Sequence, residues 1–169
     1  FKKKTIFSNG LLKKKELKKF LKFIKDKSKN FDKNYFLHCI SSYPAEINDV
    51  NLERINYMKK LNILNVGFSD HTIGLSSALA SFFYGVKIIE KHFTLDNNFS
   101  KFRDHKLSLN PQDMKKFVSI INDFANIKST YDPNLSKNES KNIFNMRRAF
   151  YAKRNIRKNT ILTKDDIKF

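Results

Sequence analysis

Hydrophobic and polar positions along the chain fall into four successive strand-then-helix units. Thr5-Ile6-Phe7 reads as a first strand closed by Ser8-Asn9-Gly10, and a helix follows from about Leu11 to Lys27 with Leu17, Phe20, Leu21 and Ile24 on one stripe. A second strand, Tyr35 to Ile40, leads through the loop Ser41–Asp49 into a helix carrying Leu52, Ile55 and Met58. The third strand is expected near Leu64–Phe68, followed by Ser69-Asp70-His71-Thr72-Ile73-Gly74 and a small-residue helix, Leu75–Tyr84. The fourth runs from Val86 to Glu90 and on into Lys91-His92-Phe93. A long loop, Thr94–Asn110, enters a helix with Pro111 in its first turn and Met114, Phe117, Val118, Ile121 and Phe124 on one face.

Such alternation calls for an α/β fold with a parallel sheet covered by helices. The repeat length fits either a (β/α)₈ barrel or an open doubly wound sheet. Four units make half a barrel, which leaves two strand edges exposed. Residues 129–143 are polar and lack a period, so they read as a linker after a unit spanning 1–128. The tail, 144–169, alternates short apolar stretches around a turn at Arg157-Lys158-Asn159 and reads as the opening strands of a small second domain.

Composition narrows the function class. No run of about 18 apolar residues suggests a membrane span, and no leader pattern is present. The single cysteine, Cys39, has no internal disulfide partner, which points to a reducing, cytoplasmic setting. It reads as a small buried hydrophobe. The chain starts at Phe1, so residues are expected to precede it. The formal charge of +18 raises a basic nucleic-acid-binding module as an alternative. Its lysines, however, sit on polar helix faces (Lys13–Lys15, Lys18–Lys19, Lys115–Lys116) without interleaved stacking aromatics, so a solvated surface is the plainer reading.

Candidate chemistry collects where strands end. Ser8, Ser41, Tyr43, Ser69, Asp70, His71, Glu90 and His92 all follow strand bodies on the carboxyl side, where parallel α/β folds build their sites. Glu90 and His92 are two residues apart, so in a strand both point to one face and Lys91 to the other. Ser69 and His71 repeat that arrangement one strand earlier. Neighbouring strands lie about 4.8 Å apart, so the two histidines at equivalent heights could share one divalent ion. A lone strand-end histidine is more often structural; two on adjacent strands with carboxylates nearby shift the balance. His38, inside a strand, reads as packing, and His105, in the long loop, as solvated.

Three stretches carry a family resemblance: Leu37-His38-Cys39-Ile40-Ser41-Ser42-Tyr43-Pro44, Gly67-Phe68-Ser69-Asp70-His71-Thr72-Ile73-Gly74 and Ile89-Glu90-Lys91-His92-Phe93-Thr94-Leu95-Asp96. With Asp104-His105-Lys106, Ser108-Leu109-Asn110-Pro111, Arg147-Arg148-Ala149 and Asp165-Asp166-Ile167, they resemble the sialic acid synthase (N-acetylneuraminate synthase) family. The resemblance implies the second half of a TIM (β/α)₈ barrel followed by the start of a small antifreeze-like (SAF) domain. It implies a transferase that condenses phosphoenolpyruvate with an N-acetylated amino sugar, N-acetylmannosamine or a 2,4-diacetamido sugar, to a nonulosonic acid and phosphate, in bacterial cell-surface carbohydrate biosynthesis. By the same resemblance His71 and His92 would hold a divalent metal, Mn²⁺ or Mg²⁺, and Glu90 would be the catalytic carboxylate. Ser8 and Ser69 would bind phosphate, Tyr43 and Asp104 sugar hydroxyls, and Ser41 would stand where some members have Asn. The complete protein would be a homodimer. A glutamate and lysines of the family's first half-barrel have no counterpart here, so the expectation is a partial site, inactive on its own; a non-catalytic relic that associates with a partner chain is a further alternative.

Overall fold

A computed structural model describes residues 3–101, 104–127, 130 and 132–168. The chain divides into two compact units, Phe1–Lys128 and Ser129–Phe169. Positions 128 and 129, where the sequence puts its boundary, lie outside the described residues, as do both chain ends, Phe1 and Phe169.

In the first unit the strands are β1 (Ile6–Ser8), β2 (Tyr35–Cys39), β3 (Val66–Asp70) and β4 (Ile89–Lys91). They form one sheet in chain order, β1-β2-β3-β4, with every pairing parallel. Helices α1 (Lys14–Lys27), α2 (Glu53–Lys60), α3 (Ser76–Phe83) and α4 (Pro111–Ile127) follow the strands in turn. This is an α/β arrangement of four consecutive strand–helix units, as in half of a (β/α)₈ barrel.

The period of each strand decides what it buries. Phe7, Phe36, Val66 and Phe68 turn toward the helices and meet Leu17, Leu21 and Ile24 of α1 and Ile55 and Met58 of α2. Phe7 and Phe36 stack at 5.4 Å, and Phe20 of α1 meets both edge-on. Each fully buried side chain of this size contributes about 1.5–3 kcal/mol. The alternate residues face the other side of the sheet, where Leu37 approaches Gly67. A Cβ on Gly67 would stand 2.9 Å from the Ile88 carbonyl oxygen, so only glycine lets β3 and the approach to β4 lie this close.

A second, smaller core joins α3 and α4. Ala78, Leu109 and Phe117 are its buried members, with Leu79, Ile89, Met114 and Ile121 packed around them. The small residues expected of α3 have a purpose here, since Ser77, Ala78 and Ser81 are its buried face. Asn110 caps α4 by accepting from the Asp113 amide at 2.9 Å, and Pro111 takes the first helical position.

Strand boundaries differ from the sequence expectation most at β4, which starts at Ile89 and not Val86; β3 runs Val66–Asp70 and not Leu64–Phe68. Its polar end stays in the sheet because Ser69 and Asp70 find partners on β4. In the second unit, the stretch 129–143 read as a linker runs into a helix, α5 (Lys137–Met146). That helix starts from a capping box, with Ser136 Oγ accepting from the Glu139 amide and Glu139 accepting from the Ser136 amide. No apolar period announces it, since none of its residues is buried. Beyond it, β5 (Tyr151–Ala152) and β6 (Ile167–Lys168) pair antiparallel. The turn expected at residues 157–159 is present, with the Thr160 amide donating to the Arg157 carbonyl and Asn159 at φ +66°. Asp166 fastens this unit: it is buried, takes two bonds from Thr163, and pairs with Arg154 at 2.6 Å, contacts that hold its carboxyl below the ordinary value.

Candidate active site

The carboxyl ends of β3 and β4 bring four of the expected residues together. Ser69 and Glu90 are register partners on the two strands. The Ser69 hydroxyl donates to Glu90 Oε1 at 2.6 Å and lies 3.2 Å from His71 Nε2. His71 and His92 rings stand 5.3 Å apart at 74°. The alternation read from the sequence is thus realised, with Ser69, His71, Glu90 and His92 sharing one face.

Each imidazole is oriented from behind. His71 is buried, and its Nδ1 donates to the Ile40 carbonyl at 2.7 Å. A carbonyl can only accept, so Nε2 is left with a lone pair directed at Ser69 and the open face. His92 is less enclosed, with Nδ1 3.7 Å from the Asp104 carboxylate. Burial, then the neighbouring His71, push its pKa below the ordinary 6.5, with Asp104 and Glu90 pulling the other way. The shift favours the uncharged imidazole.

Tyr43 closes one side. Its ring stacks on His71 at 4.2 Å and meets His92 edge-on at 5.8 Å. Asp104 arrives from the long loop, which is pinned to the chain after β4. The Leu109 amide donates to the His92 carbonyl at 2.8 Å and the Thr94 amide to the Leu109 carbonyl at 2.9 Å. Asn97 spans the loop by donating to the carbonyls of His105 and Ser108. His105 is half-buried and held in this network, more enclosed than expected: its Nδ1 pairs with the Thr94 hydroxyl at 2.8 Å.

Two expected residues stand apart from this group. Ser8 ends β1, two strands away from β3, on the same face and opposite Leu37 and Gly67 in register, two residues below Ser69. Ser41 is exposed and lies against Gly10 and Cys39. Cys39 itself is buried, and that burial raises its thiol pKa, as suits an inert packing residue. His38 is fully buried, bonds to the Val50 carbonyl at 2.7 Å and lies against Phe68, a packing role as read.

Sequence reasoning grouped Asp70 with the site, yet its side chain points to the opposite face. There it meets Lys91 at 2.9 Å, with 0% and 2% of the two side chains exposed. Nothing in the linear pattern marks that pair.

The donor set suits a divalent ion. Two imidazoles bound to one ion through nitrogens about 2.0–2.1 Å from it have ring centres about 5 Å apart, and the observed separation is 5.3 Å. Among the described residues no group of three or more His, Cys, Asp or Glu side chains is arranged to hold a metal ion. His71 and His92 are the pair that could hold such an ion between them, with the Glu90 carboxylate and the Ser69 hydroxyl beside His71.

Residues 1–132 match the model of the NeuB family. The chain belongs to the NeuB family. It is 36% identical over 165 residues to an N,N'-diacetyllegionaminic acid synthase of Campylobacter jejuni, covering 98% of this chain and 49% of that protein. It is 33% identical over 168 residues to a pseudaminic acid synthase of the same species, covering 99% of this chain and 48% of that one. A crystal structure of an N-acetylneuraminic acid (sialic acid) synthetase from Leptospira borgpetersenii superimposes with a TM-score of 0.68 at 29% identity, over 85% of this chain and 50% of that one. The chain thus spans about half the length of the NeuB relatives it matches. Among the described residues, no helix is long and apolar enough to cross a membrane.

Proposed function

We propose that this chain supplies the metal- and sugar-binding side of an active site that condenses phosphoenolpyruvate with an N-acetylated amino sugar, giving a nonulosonic acid and phosphate. The observation that carries the reading is the convergence of Ser69, His71, Glu90 and His92 on one face at the carboxyl ends of two adjacent parallel strands. Membership of the NeuB family, and relatives named as legionaminic and pseudaminic acid synthases, support the substrate class.

His71 and His92 would hold a manganese or magnesium ion, which when bound supplies Lewis acidity toward a carbonyl oxygen of the open-chain sugar. The chain's own residues do the rest. The Ile40 carbonyl fixes the tautomer of His71, so the lone pair faces the site. Glu90, exposed at the strand end and held at Oε1 by the Ser69 hydroxyl, is placed to hold a proton or orient the attacking water. Ser8 offers its hydroxyl to the phosphoenolpyruvate phosphate from the same face of the sheet, and Ser69 would do so by turning its hydroxyl away from Glu90. Tyr43 and Asp104 flank the imidazoles and contact sugar hydroxyls.

The test is phosphate release from phosphoenolpyruvate, with N-acetylmannosamine or a 2,4-diacetamido sugar offered in turn and Mn²⁺ added or chelated. It is run on the natural protein that carries this sequence. Metal-dependent release with one of these sugars is expected. Release that is indifferent to chelation, or none with any of the sugars, would overturn the proposal.

A further inference from the structure

The buried ion pair behind the site is larger than a two-residue contact. Lys91 Nζ donates to Asp70 Oδ2 at 2.9 Å and also to the Thr72 carbonyl. The other oxygen of Asp70 accepts from the Thr72 amide at 2.9 Å, and the Thr72 hydroxyl meets the Ser77 hydroxyl at 2.5 Å. A continuous polar chain thus joins β4, β3, the turn after β3 and the first turn of α3. Asp70, Thr72 and Ser77 are all buried.

Its position is as informative as its chemistry. Asp70 and Lys91 are register partners, one residue beyond the Ser69–Glu90 pair. Asp70 sits between Ser69 and His71, and Lys91 between Glu90 and His92. Every side chain of the four-residue site is therefore the immediate chain neighbour of a member of this pair, and points the opposite way across the sheet.

A buried ion pair is a poor device for stability alone, because apolar residues of similar volume often serve as well or better. Its usual advantage is registry: desolvated charges tolerate one geometry. The Asp70 bond to the Thr72 amide also fixes the turn in which His71 lies, and so the aim of its ring.

We infer that Asp70 and Lys91 are positioning residues that set the mutual placement of His71, Glu90 and His92 across β3 and β4. The metal arm of the inference rests on the function proposed above; the placement itself does not. Both side chains are buried on the face opposite the site.

The decisive variant is the paired Asp70→Leu/Lys91→Met protein, compared with the unaltered full-length protein. Two readouts are taken: Mn²⁺ affinity by paramagnetic resonance titration, and the His71 Nδ1–H signal of ¹⁵N-labelled, metal-free protein. The variant is expected to stay folded, to bind Mn²⁺ about 10–100-fold more weakly, and to lose the slow-exchanging His71 signal as its bond to Ile40 averages out. Affinity within twofold together with a retained His71 signal would overturn the inference. Should the pair not fold, Asp70→Asn/Lys91→Gln decides by the same criteria, since both side chains stay polar and no buried charge is left unpaired. If the unaltered protein binds no Mn²⁺, the metal reading fails on its own account, and the His71 signal alone then decides whether the pair positions the site.

Discussion

The two faces of the β3–β4 pair are built from alternate residues of the same short strands, yet they follow different rules. On the helix side, Val66, Phe68 and Ile89 are packed against α-helices, and the one charged pair is fully desolvated and satisfied. On the other side stand Ser69, His71, Glu90 and His92, with a carboxylate left exposed and the two imidazole rings facing each other at 5.3 Å. Every polar group on the first face is spent on the fold. On the second, the proposed function would draw on groups that the fold leaves exposed. The contrast teaches that function here is a matter of which groups have unused bonds, and less of which groups are polar.

The largest expected effect falls on the open face. His92→Ala should abolish Mn²⁺ binding and metal-dependent turnover while moving the unfolding free energy by less than about 1 kcal/mol, because the side chain is part exposed. Titration calorimetry with Mn²⁺ beside urea unfolding measures both, and a variant that unfolds while keeping its metal would reverse the comparison. On the packed face the outcome inverts. Phe68→Ala should cost about 3–5 kcal/mol of stability and, in whatever fraction remains folded, leave Mn²⁺ affinity close to unchanged.

A smaller effect separates the histidines by role. Burial lowers the pKa of His38 below its ordinary 6.5, with the bond to Val50 opposing and Arg54 adding to the shift. Between the two values the unfolded chain binds a proton that the folded chain refuses. Stability is therefore full above about 6.5 and falls as pH drops through that value toward the lower folded pKa. Urea midpoints measured from pH 7.5 down to 5.5 should decline, and His38→Gln should flatten the decline.

Much of this was legible in the sequence because periodicity is local. A spacing of two puts Glu90 and His92 on one face and Lys91 on the other, and the strands bear that out. The stripe of Leu17, Leu21 and Ile24 lies in the core as its spacing required. What stayed hidden depends on partners distant in sequence. Asp70 looked like another strand-end site residue because its counterpart lies 21 positions away, and no one-dimensional pattern links them. His105 looked solvated for the same reason, its fixing hydroxyl being Thr94 across the loop. The helix α5 was missed on different grounds: a capping box, and not buried apolar residues, marks its start. Ile40 was visible only as a strand residue, although its carbonyl decides which nitrogen of His71 is free.

The stacking of Tyr43 on His71 gives the chain an optical reporter of its own. There is no tryptophan in the sequence and only six tyrosines, so ultraviolet emission from this protein is tyrosine emission, and one of its sources lies 4.2 Å from an imidazole of the site. A paramagnetic ion seated on that imidazole would darken this ring in preference to the others. Occupancy could then be followed in a cuvette, without label or substrate, by the light the protein stops giving back.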